Sequence, residues 1–378
     1  MLSHERKKIK KLLNTIFKRN LMNINKKEFR EQLMMFRLEN VVFFAGRVSL
    51  DLGSRIAKEF KILAQKKFPE IELPGELHNS QVRLFSSNEI KPVLEDTVRG
   101  RNVYVIQSTC DSRKMKLSPA DNLWELKSII DAAKRASANK VMAVMPYYGN
   151  ARQDRKDESR VPISAKIVAN DLEKSLHADK MITMDLHADQ IQGFFDIPVD
   201  HLFASYVFLP YIKQNMDLEN LVLASPDLGG TKRLKAYATA LKKDEFIVMY
   251  KSRAFDVPNK INKMKMIGES PIGKDIILLD DIADTVGTIC MAANILKDAG
   301  ARSVKACISH PVLSGKDHDD EAYHRLAESS IDQLIVTDSV PLLYDEHPKI
   351  KVLSIAKMFA RAIYCNETNE SISNLYKF

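Results

Sequence analysis

The chain has 378 residues, 45% hydrophobic and 28% charged, which is ordinary for a globular protein with a sizeable core and excludes a chain disordered throughout. No run of about 18 apolar residues marks a transmembrane helix. Four widely spaced cysteines (Cys110, Cys290, Cys307, Cys365) argue against a zinc site or disulfide scaffold and for a reducing compartment such as the cytoplasm.

Residues 1–39 read as a basic extension. Within residues 1–35, ten Lys or Arg against three Asp or Glu carry seven of the net +8 charges, so the remainder is nearly neutral and lacks the electrostatic footprint of nucleic-acid binding. Ile9, Leu12, Leu13, Ile16 and Phe17 recur at helical spacing among lysines, which predicts a short amphipathic helix. That helix fits a solvated tail, an organelle-targeting peptide or a membrane-surface segment, and membrane contact is expected only through residues 1–35.

From residue 40, apolar runs alternate with amphipathic stretches. The predicted strands are Val103–Gln107, Lys140–Met145, Lys180–Asp185, Leu221–Ser225, Phe246–Tyr250, Ile276–Leu279, Ser303–Ile308, Gln333–Thr337 and Lys351–Ser354. Between them the pattern predicts helices over Asp121–Ala138, with Asp121 as N-cap, then Pro162–Leu176, Gly230–Leu241, Thr288–Ala299 and Ile355–Ile363. Such alternation predicts an α/β protein with two lobes, residues 40–203 and 204–378, each a mostly parallel sheet flanked by helices; the last residues are expected to return to the first lobe.

The most specific string is Asp280-Asp281-Ile282-Ala283-Asp284-Thr285-Val286-Gly287-Thr288, which follows an apolar strand and opens a helix. Ligands of open parallel sheets bind beyond the carboxyl ends of strands. Backbone amides at a helix start cradle anions, with hydroxyls from Thr285 and Thr288, while two adjacent carboxylates suit vicinal sugar hydroxyls. A ribose carrying a 5-phosphate satisfies both halves. The Walker pattern G-x-x-x-x-G-K-[ST] is absent.

This string resembles the phosphoribosyl-diphosphate loop of type I phosphoribosyltransferases and of ribose-phosphate diphosphokinases (phosphoribosyl pyrophosphate synthetases). Ala151–Arg155, Arg160–Lys166, Asp185–Asp200 and Ser225–Gly230 resemble the diphosphokinases, and similarity runs from about Val42 to Asn369–Tyr376. The resemblance implies two phosphoribosyltransferase-like lobes that transfer the diphosphate of ATP to the 1-hydroxyl of ribose 5-phosphate. It implies Lys251 and Arg253 as catalytic residues, with Arg253 also reaching ribose 5-phosphate, and the Asp280, Asp281 and Asp284–Thr288 set, Val286 and Gly287 included, as that substrate's site. It places ATP on Arg152 and Gln153 and on Phe85, Ser87, Asn88 and Glu89 of a neighbouring subunit, in a homohexamer or other homo-oligomer. Mg²⁺ is implied at His187 and Asp227, and an allosteric anion site at Ser159, Arg160 and Ser314. Ser87 stands where the family usually has Asp or Asn, Asn150 replaces a frequent Tyr, Glu158 replaces a commonly basic residue, and the Lys251–Asn259 loop is two residues longer than typical. Extra residues between Cys110 and Asp121 have no counterpart in that scheme. A non-catalytic regulatory subunit of the same fold is the alternative.

Overall fold

In the computed structural model the described residues are 26–252, 263–315 and 320–376. The first lobe begins with Lys26–Glu39 (α1), Val41–Ala45 (β1) and Leu50–Lys67 (α2). An antiparallel hairpin follows, Ser80–Leu84 (β2) and Ile90–Leu94 (β3), paired with neither main sheet. Then come Asn102–Ile106 (β4), Pro119–Arg135 (α3), Lys140–Met145 (β5), Ser164–Asn170 (α4), Lys180–Met184 (β6) and Val199–Leu202 (β7). Five of these strands form an all-parallel sheet in the order β1-β4-β5-β6-β7. β1 and β4 are buried at every position, as a parallel sheet covered on both faces requires.

The second lobe contains Ser205–Asn215 (α5), Leu221–Ser225 (β8), Thr231–Leu241 (α6), Phe246–Ser252 (β9), Lys263–Gly268 (β10), Asp275–Ala283 (β11) and Gly287–Asp298 (α7). Ser303–Pro311 (β12), Glu321–Glu328 (α8), Gln333–Thr337 (β13), Ile350–Leu353 (β14) and Ala356–Thr368 (α9) complete it. Its sheet has the order β10-β9-β8-β11-β12-β13-β14, with only the edge strand β10 antiparallel. Strand order reverses between β8 and β11, so their carboxyl ends flank the crevice where open α/β sheets bind ligands.

Alternate residues of each buried strand face opposite sides of the sheet, which divides the core. Phe43 and Tyr104 pack with α2 and α9 residues Phe60, Phe359 and Ile363, in a cluster that continues to Leu223 and Ile277 of the second sheet. Val42, Val103 and Val105 face Leu126 and Ile129 of α3. Ile276 and Leu278 face Ile289 and Ala293 of α7. The last helix does return to the first lobe: Glu367 accepts from Asn102 Nδ2 (3.0 Å) and Tyr104 Oη (2.7 Å).

Three local expectations shift. The cap of α3 is Ser118, whose Oγ accepts from Asp121 N (3.2 Å) while Asp121 Oδ2 accepts from Ser118 N (2.8 Å). Asp121 is therefore the third residue of a reciprocal capping box with Pro119 at the start. The helix expected over Pro162–Leu176 is an α-helix only to Asn170 and widens into a π turn over Asp171–Ser175. The extension is not loose up to residue 39, because α1 buries Leu38 and packs Met34 and Met35 on the core, and Arg37 Nη2 reaches Asn366 O at 3.4 Å. The amphipathic helix expected over Ile9–Phe17 lies outside the described residues.

Candidate active site

The carboxyl edges of the two sheets face each other. From the first lobe, β6 leads into Asp185, held at a left-handed φ of 38°, and then His187. Leu186 N donates to His201 Nε2 (3.0 Å), which fixes the backbone before His187. From the second lobe, β8 ends at Ser225, followed by Asp227, and β11 carries Asp280 and Asp281. His187 Nδ1 lies 2.8 Å from Asp281 Oδ2, across the cleft. The Asp227 turn is closed by Ser225 Oγ donating to Asp227 O (2.8 Å) and Gly230 N to Asp227 Oδ1 (3.0 Å); a Cβ on Gly230 would collide with Ser225 Oγ.

Arg233, one turn into α6, lies under the acidic pair at 3.4 Å from Asp280 Oδ1 and 3.3 Å from Asp281 Oδ1. Burial and the adjacent Asp281 carboxylate push the Asp280 carboxyl well above the ordinary range. Burial alone would also raise Asp281, but the His187 hydrogen bond and the Arg233 guanidinium hold it below the usual carboxylate range. The same hydrogen bond raises His187 above an ordinary histidine, against its burial. The pair is thus a polarised acceptor set, with one carboxylate firmly ionised and its neighbour a readier proton carrier. A cavity of about 830 Å³, within the range of small-molecule sites, adjoins it and is lined in part by Asp185, His187, Gly229 and Arg233.

Beyond β11 the chain passes through residues 284–286 into the start of α7. Val286 caps α7 with φ 51°, an unfavourable region for a β-branched residue that costs about 1–3 kcal/mol and is characteristic of ligand loops. The amides at the start of α7 lie before the intrahelical ladder and at its positive end, where anions are favoured. Three neighbours hold the loop. Arg152 Nη1 pairs with Asp284 Oδ2 (2.5 Å), Ser314 donates its amide to Asp284 O (3.0 Å) and its hydroxyl to Asp284 Oδ1, and Arg325 Nη1 donates to Thr285 O.

The remaining predicted residues are more dispersed. Arg152 and Gln153 follow the left-handed Asn150 after β5, with Gln153 Oε1 accepting from Ser164 Oγ. Ser159 and Arg160 are exposed farther along the same loop. Phe85, Ser87, Asn88 and Glu89 form the exposed tip of the β2–β3 hairpin, where Ser87 Oγ donates to Glu89 Oε2 (2.8 Å). Lys251 lies at the end of β9 opposite Met264, and only its backbone is described. Arg253 lies outside the described residues. Sequence reasoning missed Arg233 and Arg325, and it did not foresee that Ser314 bonds Asp284. Arg233 had one local signal, since a helix starting after Ser225–Gly230 places its first turn beneath β11.

A cleft between two parallel-sheet lobes, with an acidic pair and a helix start at a switch point, defines a protein of the phosphoribosyltransferase-like α/β class. Residues 41–175 match the family described as the N-terminal domain of ribose phosphate pyrophosphokinase, and residues 242–377 match the phosphoribosyl synthetase-associated domain. The ribose-phosphate pyrophosphokinase of Porphyromonas gingivalis is 47% identical over 318 residues, 84% of this chain and 95% of that protein. That of Campylobacter jejuni is 43% identical over 333 residues, 88% of this chain and 98% of that protein. The crystal structure of phosphoribosylpyrophosphate synthetase from Mycobacterium smegmatis superposes with a TM-score of 0.74 at 34% identity, covering 87% of this chain and 99% of that one. The chain belongs to the ribose-phosphate pyrophosphokinase family.

Proposed function

We propose that the chain transfers the diphosphate of ATP to ribose 5-phosphate, giving 5-phosphoribosyl 1-diphosphate and AMP for nucleotide biosynthesis. The observation that carries this reading is the cross-cleft pairing of His187 with Asp281 and Arg152 with Asp284, which joins the expected sugar-phosphate loop to a residue expected to hold Mg²⁺ and one expected to hold ATP. In the reaction the 1-hydroxyl oxygen bonds to the β-phosphorus, the bond from that phosphorus to the α-phosphate oxygen breaks, AMP leaves with that oxygen, and the hydroxyl proton is lost to a base or water. Such a transfer rests on positioning and charge stabilisation. Asp280 and Asp281 accept from the ribose hydroxyls, and the Asp284–Thr288 cradle takes the 5-phosphate. Lys251 and Arg253 supply positive charge to the moving phosphoryl oxygens.

Among the described residues no cluster of three or more His, Cys, Asp or Glu side chains could hold a metal ion. Mg²⁺ is commonly bound by one or two protein groups and completed by phosphates and water. Asp227 keeps a carboxylate oxygen beyond its turn bond to Gly230, and His187 keeps Nε2 beyond its Asp281 contact, so these two residues would hold the ion or its waters. Mg²⁺ bound there would neutralise phosphate charge.

ATP is proposed to lie on Arg152 and Gln153 and on Phe85, Ser87, Asn88 and Glu89 of a neighbouring subunit, which requires a homo-oligomer, with a hexamer as the family's pattern. The exposure of Phe85 at a hairpin tip supports a role outside its own subunit. Ser159, Arg160 and Ser314 are proposed to contribute to phosphate and ADP regulation. A cytoplasmic location is proposed; no described helix is long and apolar enough to cross a membrane.

The test is AMP release from ATP and Mg²⁺ over a range of ribose 5-phosphate concentrations. Saturable release that depends on both substrates supports catalysis. Binding of both without AMP formation selects the regulatory-subunit alternative.

A further inference from the structure

The residues between Cys110 and Asp121 fold back as a small hairpin that reaches the second lobe. Ser112 N donates to Leu117 O (2.9 Å), Leu117 N to Ser112 O (3.0 Å), and Lys116 makes the turn at φ 56°. The root is fixed by Asn122 Nδ2 donating to Cys110 O (2.7 Å). Leu117 packs on a small apolar cluster of Val48, Cys110 and Val340, the last from the second lobe.

Arg113 is the polar arm of this hairpin. Its side chain is 17% exposed, its Nε lies 3.2 Å from Asp111 Oδ2, and its Nη2 donates to Gly315 O at 2.8 Å. Gly315 follows Ser314, which grips Asp284 by both amide and hydroxyl. A guanidinium rooted in the first lobe therefore holds the segment that holds the anion cradle. Lys114 also crosses, to Asp345 (2.6 Å), but both partners are largely exposed and such pairs contribute little.

We propose that Arg113 is a positioning residue for the sugar-phosphate loop: through Gly315 and Ser314 it fixes Asp284 and the start of α7 in the geometry that receives the 5-phosphate. This inference rests on the function proposed above. Arg113 reaches the loop through Gly315 and Ser314, so its effect is expected on the requirement for ribose 5-phosphate and not on the chemistry. Arg suits the task because its planar fork can face Asp111 and Gly315 together, whereas Lys offers a single point charge.

The experiment compares the full-length wild type with Arg113→Ala, Arg113→Lys and Lys114→Ala. It measures KM for ribose 5-phosphate, KM for ATP, turnover, and direct calorimetric binding of ribose 5-phosphate. Loss of one charge-assisted hydrogen bond, felt through one intermediate segment, is expected to raise the ribose 5-phosphate KM and dissociation constant about three- to tenfold. ATP KM and turnover stay within about twofold of the wild type, Arg113→Lys recovers part of the loss, and Lys114→Ala matches the wild type. Equal changes for both substrates, or no change in ribose 5-phosphate binding with intact activity, overturns the proposal. A wild type that releases no AMP defeats the functional reading instead, and the binding comparison still decides the role of Arg113.

Discussion

Replacing Arg233 with Met removes the cation beneath two adjacent carboxylates and leaves side-chain volume nearly unchanged. The guanidinium lies 3.4 Å and 3.3 Å from Asp280 and Asp281, with side-chain exposures of 21% for Arg233, 20% for Asp280 and 9% for Asp281. Breaking a fully buried pair by removing one partner costs about 3–5 kcal/mol. The partial exposure of Arg233 and Asp280 reduces this to roughly 2–3 kcal/mol, or about 5–10 °C in the melting of a lobe of this size. The sign of the pH dependence follows from the acidic pair. Asp280 already titrates above its unfolded value, so the native state binds protons that the unfolded state has lost, and stability falls as pH rises through that window. Removing Arg233 raises the Asp280 carboxyl further and lets Asp281 rise from its lowered value, so the penalty is larger at about pH 7.5 than at about pH 5. Calorimetric melting at both pH values measures it, and adding Asp280→Asn to Arg233→Met should recover part of the loss. Melting of Arg233→Met within about 2 °C of the wild type at both pH values would refute the claim that this cation stabilises the pair.

Lys251→Ala should lower turnover about 10²–10³-fold with little change in substrate binding; weaker binding at unchanged turnover would place Lys251 outside the transition state. Asp284→Asn and Thr288→Val should each raise the requirement for ribose 5-phosphate far more than that for ATP, and steady-state kinetics with equal rises would deny a dedicated sugar-phosphate cradle. His310 is buried where Nε2 meets Met184 O (3.1 Å) and Asp185 O (3.2 Å) and Nδ1 meets Ser339 Oγ (2.9 Å), and burial lowers its pKa. The unfolded chain therefore takes up a proton first as pH falls below about 6.5, weakening the fold by up to about 1.4 kcal/mol per pH unit, and His310→Gln should flatten that slope in denaturant titrations. Equal slopes in the two proteins would exclude His310 as the titrating group. A chain starting at Lys26 should keep activity, whereas one starting at Val41 loses the α1 packing of Leu38 and should melt lower and resist proteolysis less.

The strands most legible in the sequence are those buried on both faces. Lys140–Met145, Leu221–Ser225 and Gln333–Thr337 were each expected with the bounds observed, because an uninterrupted apolar run bounded by polar residues leaves little choice. β11 extends past the expected Leu279 to Ala283, since Asp280 and Ile282 still pair with Ile308 and His310. Arg233 and His187, from elsewhere in the chain, compensate the charge of the carboxylates there. The hairpin of Ser80–Leu84 and Ile90–Leu94 escaped because its residues are largely polar or half-exposed, without a buried face to set a period.

The same contrast holds for the site. Asp280–Thr288 was visible because ligand loop, strand end and helix start are contiguous in the chain. The contacts that orient the string come from afar: Ser314 is 30 residues from Asp284, Arg325 40 from Thr285, and Arg152 132 from Asp284. No local pattern marks such partners: the neighbouring strand β12 leads to Ser314, α8 carries Arg325, and Arg152 comes from the facing lobe.

The central claim is that this cleft moves a diphosphate group as a unit. Phosphorus-31 resonance of a reaction containing the full-length protein, ATP, Mg²⁺ and ribose 5-phosphate tests it most directly. The expected result is AMP and 5-phosphoribosyl 1-diphosphate in equal amounts, with no AMP when ribose 5-phosphate is omitted. Accumulation of ADP or free diphosphate in place of the phosphoribosyl product, or AMP release independent of ribose 5-phosphate, would contradict it.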